Sequence, residues 1–206
     1  MFQRDERSGV AIISGLGKLL FWVWGDLVKA AILVIDMLND FVYGALKVDR
    51  AQRIIPNIKR LLEHARAKKI PVIYTNDSHI KGVDREFKLW PEHAVEGTWG
   101  AEVIEELKPT ETDYVVKKRR YSAFYSTHLD LLLRELGVDT LVLTGLVTDV
   151  CVQHTAADAF FRGYRIIVAE DCVDSLSEER HRAALEYMKN IYDCEITKTE
   201  DLLSRL

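Results

Sequence analysis

The chain has 206 residues, of which 48% are hydrophobic and 29% are charged. That length suits one domain of ordinary size with its own hydrophobic core. Its 28 Lys and Arg residues against 32 Asp and Glu residues give a formal net charge of −4, which excludes the strongly basic surfaces that bind nucleic acids or anchor proteins to membranes. Three scattered cysteines exclude a disulfide scaffold and predict a reducing, cytoplasmic setting.

An apolar extension occupies residues 1–30, ahead of the first predicted strand. Lys18 and Asp26 interrupt it, so no apolar run reaches the roughly 20 residues that a membrane-spanning helix needs. We expect a helical extension that packs its large apolar side chains on the domain or on a partner subunit. Those side chains are Leu19, Leu20, Phe21, Trp22 and Trp24. Association with a membrane surface and a cleaved signal peptide are the alternatives.

From residue 31 onwards, strand and helix patterns alternate. Apolar runs predict six strands, over residues 31–36, 71–77, 113–118, 139–145, 164–171 and 194–199. Helical spacing of apolar residues predicts helices between them, over about 54–65, 101–107, 126–136, 149–163 and 177–190. Strands separated by helical crossovers predict an α/β fold: one domain, residues 31–206, with a doubly wound, mostly parallel six-stranded sheet and helices on both faces.

Reactive side chains follow the carboxyl ends of these strands, where ligands bind in such sheets. The first strand ends at Asp36, the third ends at the lysine pair 117–118, and a turn after the fourth leads to Cys151. A thiol with a carboxylate and a lysine suggests a nucleophile with a base and a cation. We expect the lysine, and a helix start capped by Thr148 and Asp149, to lower the pKa of Cys151. A buried, purely structural cysteine is the alternative.

The long connection between strands two and three carries a second group of polar side chains. Asp77 and His79 are two residues apart at a strand end, so they project to one side. His93 follows a Trp-Pro turn, and Glu86 lies seven residues before it. Two imidazoles with one or two carboxylates suit zinc, manganese or iron. A surface loop that collects such residues without binding a metal is the alternative.

Three segments resemble the cysteine hydrolases of the isochorismatase-like superfamily, in that family's order and spacing. They are VIDMLNDF at 34–41, KRRYSAF at 118–124 and TGLVTDVCVQHTAADAF at 144–160. The resemblance, which extends over about residues 31–200, implies that Asp36 is the general base, Lys118 the third member of a triad and Cys151 the nucleophile. It also implies a non-proline cis peptide between Leu146 and Val147, with an oxyanion hole formed by the N–H groups of Val147 and Cys151.

The pattern DxH followed by WPxHxVxGTxG, at residues 77–100, resembles the nicotinamidase branch of this superfamily. It implies one divalent metal ion, with zinc expected, bound by Asp77, His79 and His93, and by Glu86 as a fourth ligand found in some of those enzymes. It also implies a pocket for a flat ring. The lining residues of that pocket would be Phe41, Trp90 and Tyr121. Ser78 and Ala94 stand where the branch usually has an aromatic residue and a cysteine.

The resemblance therefore predicts a metal-dependent nicotinamidase of NAD salvage that forms a homodimer or homotetramer and hydrolyses nicotinamide to nicotinate and ammonia. One alternative is a cysteine amidase acting on another small amide, such as a carbamoyl or ureido compound. Others are an isochorismatase-type hydrolase of a vinyl ether and a non-enzymatic binding protein. His154, three residues after Cys151, offers a Cys-His dyad as a different arrangement, and Cys172 and Cys194 are expected to be inert core residues.

Overall fold

The computed structural model describes residues 29–206, so the predicted extension lies outside the described residues except for Lys29 and Ala30. These described residues form one six-stranded sheet in the order β3-β2-β1-β4-β5-β6, with every neighbouring pair parallel. This confirms the predicted α/β fold. The strands are β1 Ala30–Ile35, β2 Val72–Asp77, β3 Tyr114–Lys118, β4 Thr140–Leu146, β5 Arg165–Asp174 and β6 Glu195–Thr197.

Helices cover both faces of the sheet, and each face has its own core. The helices are α1 Asn39–Val42, α2 Ile55–Ala67, α3 Leu129–Glu135, α4 Gln153–Phe161, α5 Glu178–Tyr192 and α6 Thr199–Arg205. Alternate residues of β1 point to opposite faces, as the period of two in a strand requires. Ile32 and Val34 pack with α2 and α6 on one face, whereas Leu33 and Ile35 pack with α3, α4 and α5 on the other.

Several predicted elements differ from the structure in type or length. The helix predicted over 101–107 is wrong, because two separate 3₁₀ turns, Trp99–Ala101 and Glu105–Leu107, flank a short pairing of Val103 with Leu38. The last predicted strand is only three residues long, and helix α6, which was not predicted, begins at Thr199. The helix predicted from 149 begins instead as a wide π-helical turn, Thr148–Val152.

The strand order places a crevice between β1 and β4, because successive connections leave these two strands in opposite directions. In doubly wound sheets, ligands bind at this switch point, outside the carboxyl ends of the strands. Gly145 makes the close approach possible here: it has a φ of +102°, and a Cβ atom would lie 1.9 Å from the carbonyl oxygen of Ile35. Asp36, the residue directly after β1, also has a positive φ, of 52°. The ends of the two central strands are thus held together where the candidate site lies.

Within residues 29–206, no helix has both the length and the apolar character needed to cross a membrane.

Candidate active site

A buried lysine ties together the side chains that follow three strands. The Nζ atom of Lys118, at the end of β3, lies 2.7 Å from Asp36 Oδ2 and 2.7 Å from Asp77 Oδ1. It also donates toward Cys151 Sγ at 3.6 Å. All four residues are buried. The strand register explains this meeting, because Asp77 pairs directly with Lys118 across β2 and β3. The structure therefore brings Asp36, Lys118 and Cys151 together, as the sequence predicted.

Burial governs the protonation of this group. It raises the pKa of Asp36 to about 6, with a further contribution from the charge of Asp77 that Lys118 opposes. Burial disfavours the charged form of Lys118, but the carboxylates of Asp36 and Asp77 outweigh it and hold the pKa of the ammonium well above its usual value. The two acids and the lysine thus form a compact charged network beneath the thiol.

The pKa of the Cys151 thiol differs from the prediction. Burial raises its pKa well above the ordinary value, and the attraction of Lys118 does not compensate. The predicted lowering is wrong because burial outweighs the attraction of Lys118, and because the carboxylates of Asp36 and Asp77 also disfavour a thiolate. The resting thiol therefore keeps its proton, and a reaction at sulfur requires a base. Oxygen atoms of Asp36 and Asp77 and the sulfur of Cys151 all lie within 4.8 Å of one another, so a carboxylate is within reach of that proton.

The turn that carries Cys151 begins with a cis peptide between Leu146 and Val147, which confirms that prediction. Within the turn, the carbonyl oxygen of Val147 accepts hydrogen bonds from the N–H groups of Val150, at 3.0 Å, and Val152, at 3.3 Å. Cys151 lies in the same turn as Val147, so the backbone of both residues borders one small space at the end of β4.

Contacts from α5 hold this turn from outside. Thr148 Oγ1 is 2.9 Å from His181 Nδ1, and Asp149 Oδ2 accepts a hydrogen bond from Arg180 Nε at 2.6 Å. Neither Thr148 nor Asp149 caps the turn, so the predicted capping role is wrong: their side chains bind α5 rather than the turn's own N–H groups. Arg180 and His181 escaped the sequence analysis because they lie about 30 residues beyond the turn.

Next to the triad lies the predicted metal-ligand set. One ligand atom from each of Asp77, His79, Glu86 and His93 lies within 4.8 Å of every other, and all four residues are buried. His79 Nε2 is 3.6 Å from Asp77 Oδ2 and 3.8 Å from Glu86 Oε2. Nitrogen and oxygen ligands about 2 Å from one zinc ion are separated by similar distances, roughly 3–4 Å.

Hydrogen bonds orient both imidazoles toward the centre of this set. His93 Nδ1 donates to the carbonyl oxygen of Pro91 at 2.7 Å, and His79 Nδ1 lies 3.0 Å from Asp84 Oδ2. A ring whose Nδ1 donates in this way presents the lone pair of Nε2, as metal-binding histidines do. His79 Nε2 and Glu86 Oε1 are buried without a hydrogen-bond partner. Buried polar atoms of this kind fit a divalent cation as their missing partner.

Charges in the cluster agree with that fit. Burial raises the pKa of Glu86 to about 7, and the neighbouring charge of Asp77 adds to the rise. Burial also lowers the pKa of His93. Burial disfavours the charged form of His79, but Asp77, Asp84 and Glu86 outweigh it and raise the pKa of that imidazole. The carboxylates thus attract positive charge to the centre of the set, and a divalent ion bound to neutral imidazoles and carboxylates would supply it. The residues present therefore fit such an ion.

Two aspartates that the sequence analysis did not identify, the half-buried Asp40 and the buried Asp84, hold the connection that carries these ligands. Asp40 Oδ2 accepts a hydrogen bond from the N–H of Ala94, at 2.8 Å, directly after His93. Gly100 packs so closely on Asp40 that a Cβ atom would lie 2.0 Å from its carboxylate. Asp84, which contacts His79, also binds Arg119. Asp40 lies inside the segment 34–41, so its place in that motif was the available signal; Asp84 had none.

An apolar cavity opens between the triad and the metal-ligand set. It holds about 470 Å³ of empty space, counting its solvent-filled mouth. Phe41, Trp90 and Tyr121 all line it, as predicted, together with Cys151 and His93. Trp90 Nε1 donates a hydrogen bond to Tyr121 Oη at 3.0 Å. The ring of Phe41 packs edge-on against His93, with centroids 5.3 Å apart. These flat walls suit a flat, uncharged ring.

The sequence matches the isochorismatase domain family over residues 30–201. The chain is a member of the isochorismatase family. Its relatives of known structure include N-carbamoylsarcosine amidase from Thermoplasma acidophilum, 41% identical, with a TM-score of 0.78 over 84% of this chain and 97% of that one. Given this family and its buried thiol site, the chain is an isochorismatase-family hydrolase.

Two further family members of known structure are named nicotinamidase or pyrazinamidase. The nicotinamidase/pyrazinamidase PncA from Bacillus subtilis is 35% identical, with a TM-score of 0.79 over 82% of this chain and all of that one. The pyrazinamidase from Pyrococcus horikoshii, determined in complex with zinc, is 30% identical, with a TM-score of 0.78 over 82% and 99% of the two chains. Family membership thus establishes that the chain is a hydrolase. The relatives differ in the amide that their names give as substrate.

The other reactive residues considered from the sequence, His154, Cys172 and Cys194, do not line the cavity. His154 is exposed, and its Nδ1 lies 2.7 Å from the carbonyl oxygen of Val150, so the structure shows no contact between this ring and Cys151. Cys172 and Cys194 are buried in the two cores, and burial raises the pKa of each thiol to about 12. Both are neutral at ordinary pH, in agreement with the prediction that they are inert.

Proposed function

We propose that this chain is a metal-dependent nicotinamidase, which hydrolyses nicotinamide to nicotinate and ammonia through a cysteine thioester. One observation carries the proposal: Asp77, His79, Glu86 and His93 form a buried ligand set on one side of the cavity that Cys151 borders. A ring bound between this ligand set and Cys151 would have its carboxamide facing the thiol. Isochorismatase-type chemistry on a vinyl ether would make no use of this set.

Substrate binding follows from the cavity walls. Phe41, Trp90 and Tyr121 provide aromatic surfaces for a ring of the size of pyridine, and the bond between Trp90 and Tyr121 keeps two of these walls in place. Asp77, His79, Glu86 and His93 would hold a divalent ion, which would supply a Lewis acid for the pyridine nitrogen. Asp40 and Asp84, by holding the connection around His93 and His79, keep these ligands oriented.

The first half of the reaction forms the thioester. Asp36 takes the proton of the Cys151 thiol while the sulfur bonds to the carboxamide carbon, and Lys118 stabilises the charge that develops. The carbonyl electron pair moves to oxygen, where the N–H groups of Val147 and Cys151 stabilise the oxyanion, each contributing roughly 3 kcal/mol. When the oxyanion collapses, the C–N bond breaks, and Asp36 returns its proton to the leaving nitrogen to give ammonia.

The second half releases the acid. Asp36, again a carboxylate, takes a proton from a water molecule that attacks the thioester carbon. A second oxyanion forms in the same place and collapses, this time breaking the C–S bond. The thiolate recovers the proton from Asp36, and nicotinic acid leaves and loses its own proton to solvent, which gives nicotinate. A pKa near 6 suits Asp36 to this work, because the group is ionised at neutral pH yet accepts a proton readily.

A second candidate is an amidase for a carbamoyl compound, which is favoured by the 41% identity to N-carbamoylsarcosine amidase. That substrate carries a carboxylate. Among the described residues that line the cavity, none is Lys or Arg, whereas Asp77 and Glu86 both are present. A largely apolar lining without Lys or Arg offers no ion-pair partner for a carboxylate, which favours a neutral amide such as nicotinamide over an anionic one.

Ammonia release from nicotinamide, pyrazinamide, benzamide and N-carbamoylsarcosine tests the proposal. Each substrate is assayed with the protein as purified, after chelation, and after zinc or manganese is restored. We expect turnover of nicotinamide that chelation abolishes and metal restores, and much weaker turnover of benzamide, which lacks the ring nitrogen. His93→Gln abolishes the preference for nicotinamide over benzamide. His128→Gln, a matched change of an exposed histidine far from the ligand set, preserves it.

Turnover of N-carbamoylsarcosine without turnover of nicotinamide would replace the proposal with the second candidate. Nicotinamide turnover that survives complete metal removal would leave the thioester chemistry in place but remove the metal from it. Assembly as a homodimer or homotetramer, and a cytoplasmic location, are further parts of the proposal that rest on the family resemblance alone.

A further inference from the structure

An exposed aromatic patch lies where helices α4 and α5 end. It consists of Phe160, Phe161, Tyr187, Ile191 and Tyr192. The ring centroid of Tyr192 is 5.9 Å from that of Phe160, 6.5 Å from that of Phe161 and 5.6 Å from that of Tyr187. Phe161 is 72% exposed, and Ile191, one helical turn after Tyr187, is 52% exposed. A contiguous apolar surface of this kind indicates that something covers it.

The described chain begins close to this patch. The carbonyl oxygen of Lys29 accepts hydrogen bonds from the N–H groups of Asp139 and Thr140. Ala30 pairs with Thr140, and Thr140 pairs with Arg165 at the start of β5. Because neighbouring strands are about 4.8 Å apart, Arg165 is about 10 Å from Ala30. Phe161 is four residues before Arg165, hence at most about 14 Å further.

The chain ahead of Lys29 has the right length and chemistry to reach that surface. Residues 19–24, LLFWVW, are six successive large apolar residues, separated from β1 by a short stretch with Asp26 and Lys29. An extended chain from Ala30 reaches about 20 Å at residue 24 and about 36 Å at residue 19. The patch, at most about 24 Å away, lies within that span.

We propose that residues 19–24 dock on the aromatic patch of their own chain and cover Phe160, Phe161, Tyr187 and Ile191. The tether favours this occupant over a second copy of the protein. A segment linked by a few residues is present at an effective concentration in the millimolar range, well above that of a separate chain at micromolar concentration. Burial of Phe161 against Trp22 or Trp24 removes apolar surface of both partners from water.

A cysteine pair in the full chain tests this docking. In Phe21→Cys with Phe161→Cys, mild oxidation should give an intramolecular disulfide in most of the protein, seen as a faster monomer band on a non-reducing gel. All three native cysteines are buried. The matched control is Phe21→Cys with Val115→Cys. Val115 is an exposed residue on β3, two strands from β1 on the other side and level with Val34, so it also lies within the span of the tether.

A second measurement avoids any dependence on disulfide formation. Phe161→Lys should shift the tryptophan emission toward that of water-exposed indole, because Trp22 and Trp24 lose their cover, whereas Val115→Lys should leave the emission unchanged. Ammonia release serves as the check that both variants fold.

Three results would overturn the proposal. A disulfide-linked dimer with Phe161→Cys would assign the patch to the segment of a second copy. Equal linkage to positions 161 and 115 would show that the segment has no preferred place. Co-sedimentation of the unmodified full chain with phosphatidylglycerol vesicles, together with no linkage at position 161, would assign the segment to a membrane surface.

Discussion

The two halves of the candidate site are built from different kinds of structure. In the triad half, Asp36 and Lys118 lie at the ends of strands and Cys151 lies in the tight turn after β4. In the metal-ligand half, only Asp77 belongs to a strand. His79, Glu86 and His93 come from the connection between β2 and β3, which contains 3₁₀ turns but no α-helix.

The difference shows which interactions hold each half of the site in place. Sheet register fixes the triad, because the same backbone hydrogen bonds that align β1, β2, β3 and β4 align these side chains. The ligands on the connection depend on a few buried polar contacts, chiefly those of Asp40 and Asp84. We therefore expect changes in the triad to abolish chemistry or stability outright, and changes around the connection to alter metal affinity by degrees.

The largest effect is expected from Cys151→Ala, which separates the halves completely. Loss of the nucleophile should lower kcat for nicotinamide by at least about 10⁴-fold. The bound metal, measured by elemental analysis of the same preparation, should stay at the wild-type stoichiometry because Cys151 is outside the ligand set. Residual turnover within tenfold of wild type would contradict the thioester.

Lys118→Met should cause the largest loss of stability. It leaves Asp36 and Asp77 buried without their cation, at an expected cost of about 3–5 kcal/mol in the free energy of unfolding, measured by urea titration of the metal-free protein. Its neighbour Lys117 is the control: it pairs with Glu96 on the surface, so Lys117→Met should cost no more than about 1 kcal/mol. Equal effects of the two changes would mean that the buried network does not stabilise the triad half.

Asp84→Asn tests the support of the metal-ligand half. Weakening the contact with His79 Nδ1 should lower metal affinity by about 10–100-fold in a competition titration, with kcat at saturating metal little changed. Glu92→Gln removes one negative charge next to His93 from an exposed position and should leave the affinity unchanged. If both variants bind metal as the wild type does, the contact of Asp84 has no orienting role.

The smallest expected effect comes from the cavity wall between the halves. Trp90→Phe keeps an aromatic face but removes the hydrogen bond to Tyr121, worth about 1 kcal/mol, so KM for nicotinamide should rise about fivefold while kcat changes little. The exposed Trp99 provides the matched change, Trp99→Phe, which should leave KM as it is. A fall in kcat alone would place Trp90 in the chemistry rather than in binding.

The same contrast explains how far the sequence could be interpreted. Strand ends in a parallel sheet converge at one edge, so counting strands brought Asp36, Cys151 and the lysine pair 117–118 together, and the resemblance of segment 118–124 was needed to choose Lys118. In the irregular connection, residue types alone offered His79, Glu86 and His93 as possible ligands, and only the resemblance of the motif assigned them, since no periodicity governs such a segment. Asp84 gave no signal, because an aspartate in a loop is ordinarily exposed and only the fold shows this one buried against His79.

Other differences have equally local causes. The pKa of Cys151 depends on burial and on two carboxylates that compete for one lysine, and neither is visible from residue spacing. Helix α6 is only seven residues long, too short to show a clear helical period. The connection at 99–107 has helical composition, but the pairing of Val103 with Leu38 keeps it from forming a continuous helix.

The central position of β1 has a consequence for how the chain is made. Among the described strands, β1 is synthesised first, yet its neighbour β4 begins 110 residues later, at Thr140. At about 5–20 residues per second, a ribosome needs roughly 6–20 s to add that length. Throughout that interval the apolar run AAILVI has at most one edge paired, so the nascent chain carries an aggregation-prone strand until β4 arrives. The strand that fixes Asp36 in the finished enzyme is thus the one most in need of a chaperone during translation.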